Sequence, residues 1–208
     1  MKTFFPEKPN YTLTEFVSSY SERLYKALET LDGEQTKNVF EALARSILSG
    51  VTIYTCGNGG SSAIAEHLVC DFLKGASTDS TIQPKVVPLL STPIVTALAN
   101  DISYDEIFSY QVQKYGNEND VLLSVSSSGN SENIIRAIQA AKKLNMLTIS
   151  FIGFSGGRAK DLSDLALHVH ADNYGICEDA HHALMHIFAQ YLRLHFIDDS
   201  NKIGSLKF

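Results

Sequence analysis

The sequence predicts an α/β protein in which a doubly wound, five-stranded parallel sheet is covered by helices on both faces. From Val51 onward, apolar runs of strand length alternate with helical patterns, as expected for strands buried on both faces of a parallel sheet. Two of these runs end in glycine- or serine-rich turns, at the sheet edge where such proteins bind ligands. The five predicted strands are 51–55, 86–90, 121–125, 147–153 and 165–169.

Two amphipathic helices precede the first strand. Apolar residues recur at helical spacing from about Thr12 to Leu31, and a second helix is predicted from about Glu34 to Leu48, with Gly50 as its stop. We expect a single domain over residues 1–208, of which 1–49 form an N-terminal helical arm. The apolar stripe of this arm must pack on the α/β body or on another subunit.

Composition excludes several classes of protein. The chain has 208 residues and 44% hydrophobic content, enough for one domain with a substantial core. Its net charge is −6 and it has no basic run, which argues against binding nucleic acid. Three irregularly spaced cysteines fit a reducing compartment. No apolar stretch has transmembrane length and no signal-peptide core is present. We therefore expect a cytoplasmic protein that binds neither nucleic acid nor membranes.

The first ligand-binding turn is the glycine loop, residues 56–62, with the sequence Cys-Gly-Asn-Gly-Gly-Ser-Ser. It lies between a predicted strand and a predicted helix. Glycines allow close approach of the backbone to a ligand, and the unpaired N–H groups at a helix N-terminus favour an anion. Alone, this loop is equally consistent with an ordinary strand-to-helix turn.

The second turn is the serine loop, Ser126-Ser127-Ser128-Gly129-Asn130-Ser131. One serine before a helix is a common cap. Four serines around a glycine, after a buried strand and before a helix, favour a cradle for the oxygens of a phosphate group. The sequence lacks the Gly-x-x-x-x-Gly-Lys pattern, so a nucleoside-triphosphate loop is not expected.

Histidines and carboxylates recur at helical spacing in two places. His67 and Asp71 are four residues apart and share a helix face, and Glu178, His182 and His186 form a similar stripe on the last helix. Two histidines and two carboxylates can form a tetrahedral zinc site. The alternative is a surface pair on one helix and a polar face on the other.

These features resemble the sugar isomerase (SIS) domain and, within it, the phosphoheptose isomerase family. The resemblance covers nearly the whole chain and rests on the helical arm, the two loops, Ala99-Asn100-Asp101 and the histidine-rich last helix. It implies a flavodoxin-like sheet and an isomerase that interconverts sedoheptulose 7-phosphate and D-glycero-D-manno-heptose 7-phosphate. It further implies a homotetramer with active sites between subunits and, as in several members, a zinc ion.

The resemblance also implies roles for individual residues. The expected acid/base pair is Asp71 and His186. The expected zinc ligands are His67, Asp71, Glu178 and His186. The expected contacts to the phosphorylated sugar are Asn58, Gly59, Gly60, Ser61, Asn100, Asp101, Ser126, Ser127, Ser128, Ser131 and Glu178. The chain departs from the family pattern at two of these positions, because the family has glutamate at Asp71 and glutamine at Glu178.

Two other functions are compatible with this fold. Some SIS proteins are non-catalytic, and those that associate with the bacterial replication initiator lose the catalytic carboxylate. Others sense a sugar phosphate and normally carry a DNA-binding module, for which the predicted single domain leaves no segment. Asp71, together with His67 and His186, favours the enzyme, because enediolate chemistry requires a base near the proton that it removes.

Overall fold

The computed structural model describes residues 4–205, so the first three and last three residues of the predicted domain lie outside it. Five parallel strands form one sheet in the order β2-β1-β3-β4-β5. The strands are β1 (Thr52–Gly57), β2 (Lys85–Pro88), β3 (Val121–Ser126), β4 (Leu147–Ile152) and β5 (Leu165–His168). The predicted doubly wound parallel sheet is therefore confirmed. The strand order reverses between β1 and β3, where such sheets bind ligands.

Eight α-helices surround the sheet within the described residues. They are α1 (Leu13–Glu29), α2 (Gly33–Ser49), α3 (Gly60–Cys70), α4 (Thr92–Asp101), α5 (Ser109–Tyr115), α6 (Glu132–Lys143), α7 (Gly157–Leu162) and α8 (Tyr174–His195). A π turn (Asp71–Ala76) continues α3, and short 3-10 helices lie at Tyr104–Glu106 and Ser200–Lys202. One core layer packs α2, α3 and α8 on one face of the sheet, and the other packs α5 and α6 on the opposite face.

Strand position follows from residue type. All six residues of β3 are buried, as expected for the central strand of a sheet covered on both faces. Strand β2 lies at the edge of the sheet and ends at Pro88. Proline has no backbone N–H to donate, and at an edge strand no further strand needs that hydrogen bond.

The helical arm packs against the α/β body, which is one of the two predicted alternatives. Thr12 and Glu15 form a capping box at the start of α1. Most of the apolar stripe packs against the core shared with α8, through Phe16, Tyr20, Leu24, Leu28 and Leu31. Leu13 and Val17 remain exposed at the first two turns.

Three helices differ from the sequence-based prediction. The sequence pattern indicates one helix from Tyr104 to Tyr115, but this segment is broken into a 3-10 turn and α5, and α7 was not predicted. The pattern places the last helix from Glu178 to Ile197. The helix begins four residues earlier, at Tyr174, because the Asn173 side chain accepts a hydrogen bond from the Ile176 N–H and caps it. Among residues 4–205, none of the helices combines the length and apolar character needed to cross a membrane.

Candidate active site

The two predicted loops lie side by side at the carboxyl ends of neighbouring strands. Gly57 at the end of β1 pairs with Val125 of β3, so the glycine loop and the serine loop emerge together. Asn58 and Asn133 exchange two side-chain hydrogen bonds of 2.8 and 2.9 Å, which link the glycine loop to the first turn of α6. The Tyr104 hydroxyl donates to Asn58 Oδ1 at 3.0 Å. Sequence analysis missed Tyr104 and Asn133, because neither belongs to a recognisable motif.

The glycine loop approaches α8 closely. Gly59 has a φ of +56°, which favours glycine, and Gly60 begins α3. A Cβ built on Gly60 would lie 2.5 Å from the Glu178 carboxyl carbon, so any side chain there would displace this carboxylate. Burial, with the negative charge of Asp179 as a second cause, raises the pKa of Glu178.

The serine loop keeps two hydroxyl groups uncommitted. Ser126 Oγ accepts from the Gly129 N–H at 3.1 Å and Ser128 Oγ accepts from the Asn130 N–H at 3.2 Å, so these two hydroxyls shape the loop. The buried Ser127 Oγ has no hydrogen-bond partner within the described part of the chain. Ser131 is the N-cap residue of α6, yet its side chain caps no N–H group there. Both hydroxyls therefore lack a protein partner among the described residues, beside a helix N-terminus that favours an anion.

The back of the serine loop is held by the start of α7. Gly129 has a φ of +63°, and a Cβ built on it would lie 2.7 Å from the Gly156 carbonyl carbon and closer still to its oxygen. The Ala159 N–H donates to the Gly129 carbonyl at 2.9 Å, and the Arg158 N–H donates to Asn130 Oδ1 at 3.1 Å. These contacts fix the loop from behind without using its serine hydroxyls.

His67, Asp71 and His186 come together as predicted, where α3 meets α8. Asp71 begins the π turn and its carboxylate bridges the two histidines: Oδ1 lies 3.2 Å from His67 Nε2 and Oδ2 lies 2.7 Å from His186 Nδ1. Asp71 and His186 also line an open cleft of about 510 Å³, which is bounded further along α8 by Gln190 and Arg193. A carboxylate bonded to an imidazole at the wall of a cleft is a suitable general acid/base pair.

A third histidine joins this cluster. One ring nitrogen from each of His67, His182 and His186 lies within 4.8 Å of the others, and we call these residues the histidine group. His182 Nε2 is 3.4 Å from His67 Nδ1, and the His182 ring stacks on His186. Burial lowers the pKa of His182, and the neighbouring histidines lower it further. Glu178, a predicted ligand, does not belong to the group and lies against Gly60 instead.

Asn100 and Asp101 occupy the C-terminal end of α4 and are exposed. The Asn100 amide donates to Asp101 Oδ1 at 2.7 Å. Among residues 4–205, no hydrogen bond joins either side chain to the two loops or to the histidine group. Their predicted contact with the sugar stays a prediction.

The helical arm reaches the site helix directly. The Tyr20 hydroxyl of α1 donates to Asp179 Oδ2 at 2.6 Å, one residue from Glu178. Burial and this hydrogen bond raise the pKa of Tyr20. The arm therefore helps to fix the position of the first turns of α8.

Comparisons with known proteins agree with this arrangement. The model of the SIS domain matches residues 15–153. A phosphoheptose isomerase of Helicobacter pylori (strain P12) is 36% identical over 182 residues, which are 88% of this chain and 94% of that protein. A phosphoheptose isomerase structure from Francisella tularensis superposes with a TM-score of 0.81 at 28% identity, covering 88% of this chain and 99% of that one. A phosphoheptose isomerase structure from Neisseria gonorrhoeae superposes with a TM-score of 0.79 at 30% identity, covering 87% of this chain and 98% of that one.

The parallel sheet, the two loops at its switch point and the matched family model define a SIS domain protein. The sequence identity and coverage of the relatives identify the family within this class. The chain belongs to the phosphoheptose isomerase family.

Proposed function

We propose that this protein is an aldose–ketose isomerase that converts sedoheptulose 7-phosphate to D-glycero-D-manno-heptose 7-phosphate. The observation that carries the proposal is the Asp71 carboxylate, bonded to His186 Nδ1 at 2.7 Å and facing a cleft. Its relatives are named phosphoheptose isomerases, which supports this choice of substrate.

The reaction requires a proton to move between adjacent carbons of the sugar. Asp71 removes the proton from the carbon beside the carbonyl and an enediolate forms. A proton passes from the hydroxyl of that carbon to the former carbonyl oxygen, and the Asp71–His186 pair returns a proton to the former carbonyl carbon, which completes the aldose. The short contact between Oδ2 and Nδ1 allows the proton to be shared within the pair while the enediolate exists. The enediolate oxygen that gains negative charge also needs an electropositive partner.

A zinc ion fits the residues at this point. Imidazole nitrogens and carboxylate oxygens are common zinc ligands, and His67, Asp71 and His186 already converge. We propose that the ion is held at this cluster, where His67 and His186 are ligands from the predicted set and the Asp71 carboxylate lies against both. When bound, zinc supplies Lewis-acid stabilisation of the enediolate oxygen.

The far end of the substrate is held by its phosphate. The uncommitted hydroxyls of Ser127 and Ser131, together with the N-terminus of α6, make the serine loop the proposed phosphate cradle. His67 follows Ser61 by six residues, or about 9 Å along α3. An extended seven-carbon sugar phosphate is about 10 Å long, because each bond of about 1.5 Å advances the chain by roughly 1.25 Å. This length suits a sugar that extends from the glycine loop at Ser61 to His67.

We further propose a homotetramer in which neighbouring chains complete the active sites. The described residues that line the cleft at Asp71 and His186 include none from the glycine or serine loops. An apolar groove of about 690 Å³ between α2 and α8 contains Phe40, Leu48 and Tyr191, and Leu48 is 62% exposed. Exposed apolar surface of this kind commonly marks an interface.

Product analysis and proton exchange test the proposed chemistry. Wild-type protein, with and without zinc, is incubated with sedoheptulose 7-phosphate in D₂O, and deuterium in the recovered sugar is followed by NMR. Asp71→Asn should lower turnover about 10²- to 10⁴-fold, because an amide cannot act as the base. Asp161→Asn, an exposed position on α7, is the matched control. Full activity of Asp71→Asn would exclude Asp71 as the base, and no turnover by the wild type would favour a partner-binding SIS protein.

A further inference from the structure

The histidine group places His182, which carries no role in the predicted ligand set, at the position of a metal ligand. His182 Nε2 and His67 Nδ1 are 3.4 Å apart, longer than a typical N–H···N hydrogen bond. Two ligands of a tetrahedral ion stand about 1.6 bond lengths apart, which is about 3.3–3.4 Å for zinc–nitrogen bonds of 2.0–2.1 Å. The observed separation of 3.4 Å equals the spacing of two imidazole nitrogens that share a cation.

The position of the Asp71 carboxylate suits the other two imidazoles to the same purpose. Oδ1 of Asp71 lies 3.2 Å from Nε2 of His67, and Oδ2 lies 2.7 Å from Nδ1 of His186, so the carboxylate favours a proton on each of these nitrogens. Protons at those positions leave Nδ1 of His67 and Nε2 of His186 with lone pairs, and Nδ1 of His67 is the atom that faces His182. A carboxylate behind a ligating histidine is a common means of fixing ring orientation and tautomer.

Glu178 is less well placed for this role. Its carboxyl carbon lies beside Gly60, within 2.5 Å of a Cβ built there, and it falls outside the histidine group. His182 lies one helical turn further along α8, on the same stripe and one turn before His186.

We infer that His182 is a ligand in this protein, so that the divalent cation of the active site is held by the three imidazoles of His67, His182 and His186, with Asp71 behind them. This inference rests on the proposed function only in that it concerns the metal of the same site. Three protein nitrogens leave the fourth position of a tetrahedral ion open for water or a substrate oxygen. Glu178 is then left beside the glycine loop, where it contacts the sugar rather than the ion.

Zinc affinity, measured on the full chain without sugar, tests the inference. The protein is stripped with a chelator, and Zn²⁺ is titrated in competition with a chromophoric chelator. His182→Gln should weaken zinc binding about tenfold or more, as loss of even an outer partner of a metal ligand does. Glu178→Gln and the exposed control His170→Gln should retain wild-type affinity. Co²⁺ loading adds a second readout, because the visible absorption of bound Co²⁺ should change in His182→Gln alone.

Two results would overturn the inference: zinc affinity in His182→Gln equal to that of the His170→Gln control, or a loss that occurs in Glu178→Gln and not in His182→Gln. Absence of zinc binding by the wild-type protein would also overturn it. His182→Asn gives a second test if the glutamine variant does not fold. Because no sugar is present, an inactive protein that binds zinc through His182 would refute the proposed isomerase and leave this inference intact.

Discussion

Gly129 offers a test of how the proposed phosphate cradle is held in place. Its φ of +63° lies in the left-handed region, where an L-residue is strained by roughly 1–2 kcal/mol. A Cβ at this position would also meet the backbone of Gly156 and Gly157, at 2.7 and 3.3 Å from their carbonyl and α carbons. Overpacking against an unyielding neighbour typically adds 1–3 kcal/mol. Gly129→Ala should therefore lower the free energy of unfolding by about 2–5 kcal/mol.

Gly50→Ala is the matched control for this substitution. Gly50 also has a positive φ, +75°, but a Cβ there would meet only Lys85 Nζ at 3.8 Å, an ordinary contact. It should lose only the strain of roughly 1–2 kcal/mol. Urea unfolding at one fixed protein concentration measures both variants, and protection by inorganic phosphate against thermal unfolding reports the cradle. Phosphate should protect Gly50→Ala like the wild type and Gly129→Ala much less. If Gly129→Ala loses no more stability than Gly50→Ala, the loop is not held by this contact.

Three further predictions concern the loop, the core and the assembly. Ser127→Ala should weaken phosphate binding by about 1 kcal/mol. Without phosphate, the variant should unfold in urea like the wild type, because the buried hydroxyl has no hydrogen-bond partner to lose. Unchanged phosphate affinity by isothermal titration, or a lower urea midpoint, would contradict this prediction. Burial lowers the pKa of His181 to about 4, below the roughly 6.5 of an unfolded chain, so stability falls as the pH drops through this range. His181→Leu should remove about 2 kcal/mol of the loss between pH 7 and pH 5, and an unchanged pH slope would contradict this. Light scattering should give a molar mass of about four times 22.9 kDa for the wild type. Leu48→Glu should give a smaller mass, because it places a charge in the apolar groove, whereas Lys37→Glu, at a charged position of the same groove, should keep the wild-type mass.

The fold could be predicted from hydrophobic patterning because each strand is buried on both faces and each long helix has one apolar face. Pro88 in the predicted strand 86–90 indicates either an edge strand or a strand end, and β2 lies at the edge and ends at Pro88. The short helix α7 was not predicted, since six residues are too few to show an apolar stripe. The contact between α7 and Gly129 was therefore beyond sequence analysis, although the glycine itself was recognised.

The metal-ligand set shows a different limit. The stripe of Glu178, His182 and His186 is visible in the sequence, but helical spacing alone does not select which of the three reach His67 on α3. That choice depends on how α8 crosses α3, and α8 begins four residues earlier than its sequence pattern indicated because Asn173 caps it. The family resemblance favoured Glu178, whereas the side-chain geometry favours His182.

Asp71 raises the last question, because the family has a longer glutamate there. Aspartate reaches about 1.5 Å less far from the backbone, yet its carboxylate lies 2.7 Å from His186 and 3.2 Å from His67. Asp71 is the first residue of the π turn, and such turns displace the backbone locally and often occur at functional sites. If the backbone already compensates for the shorter side chain, Asp71→Glu would push the carboxylate about 1.5 Å too far. Turnover of sedoheptulose 7-phosphate should then fall by about 10²-fold, the scale of a 1 Å misplacement. Equal or higher activity in Asp71→Glu would show that the site is not built around aspartate.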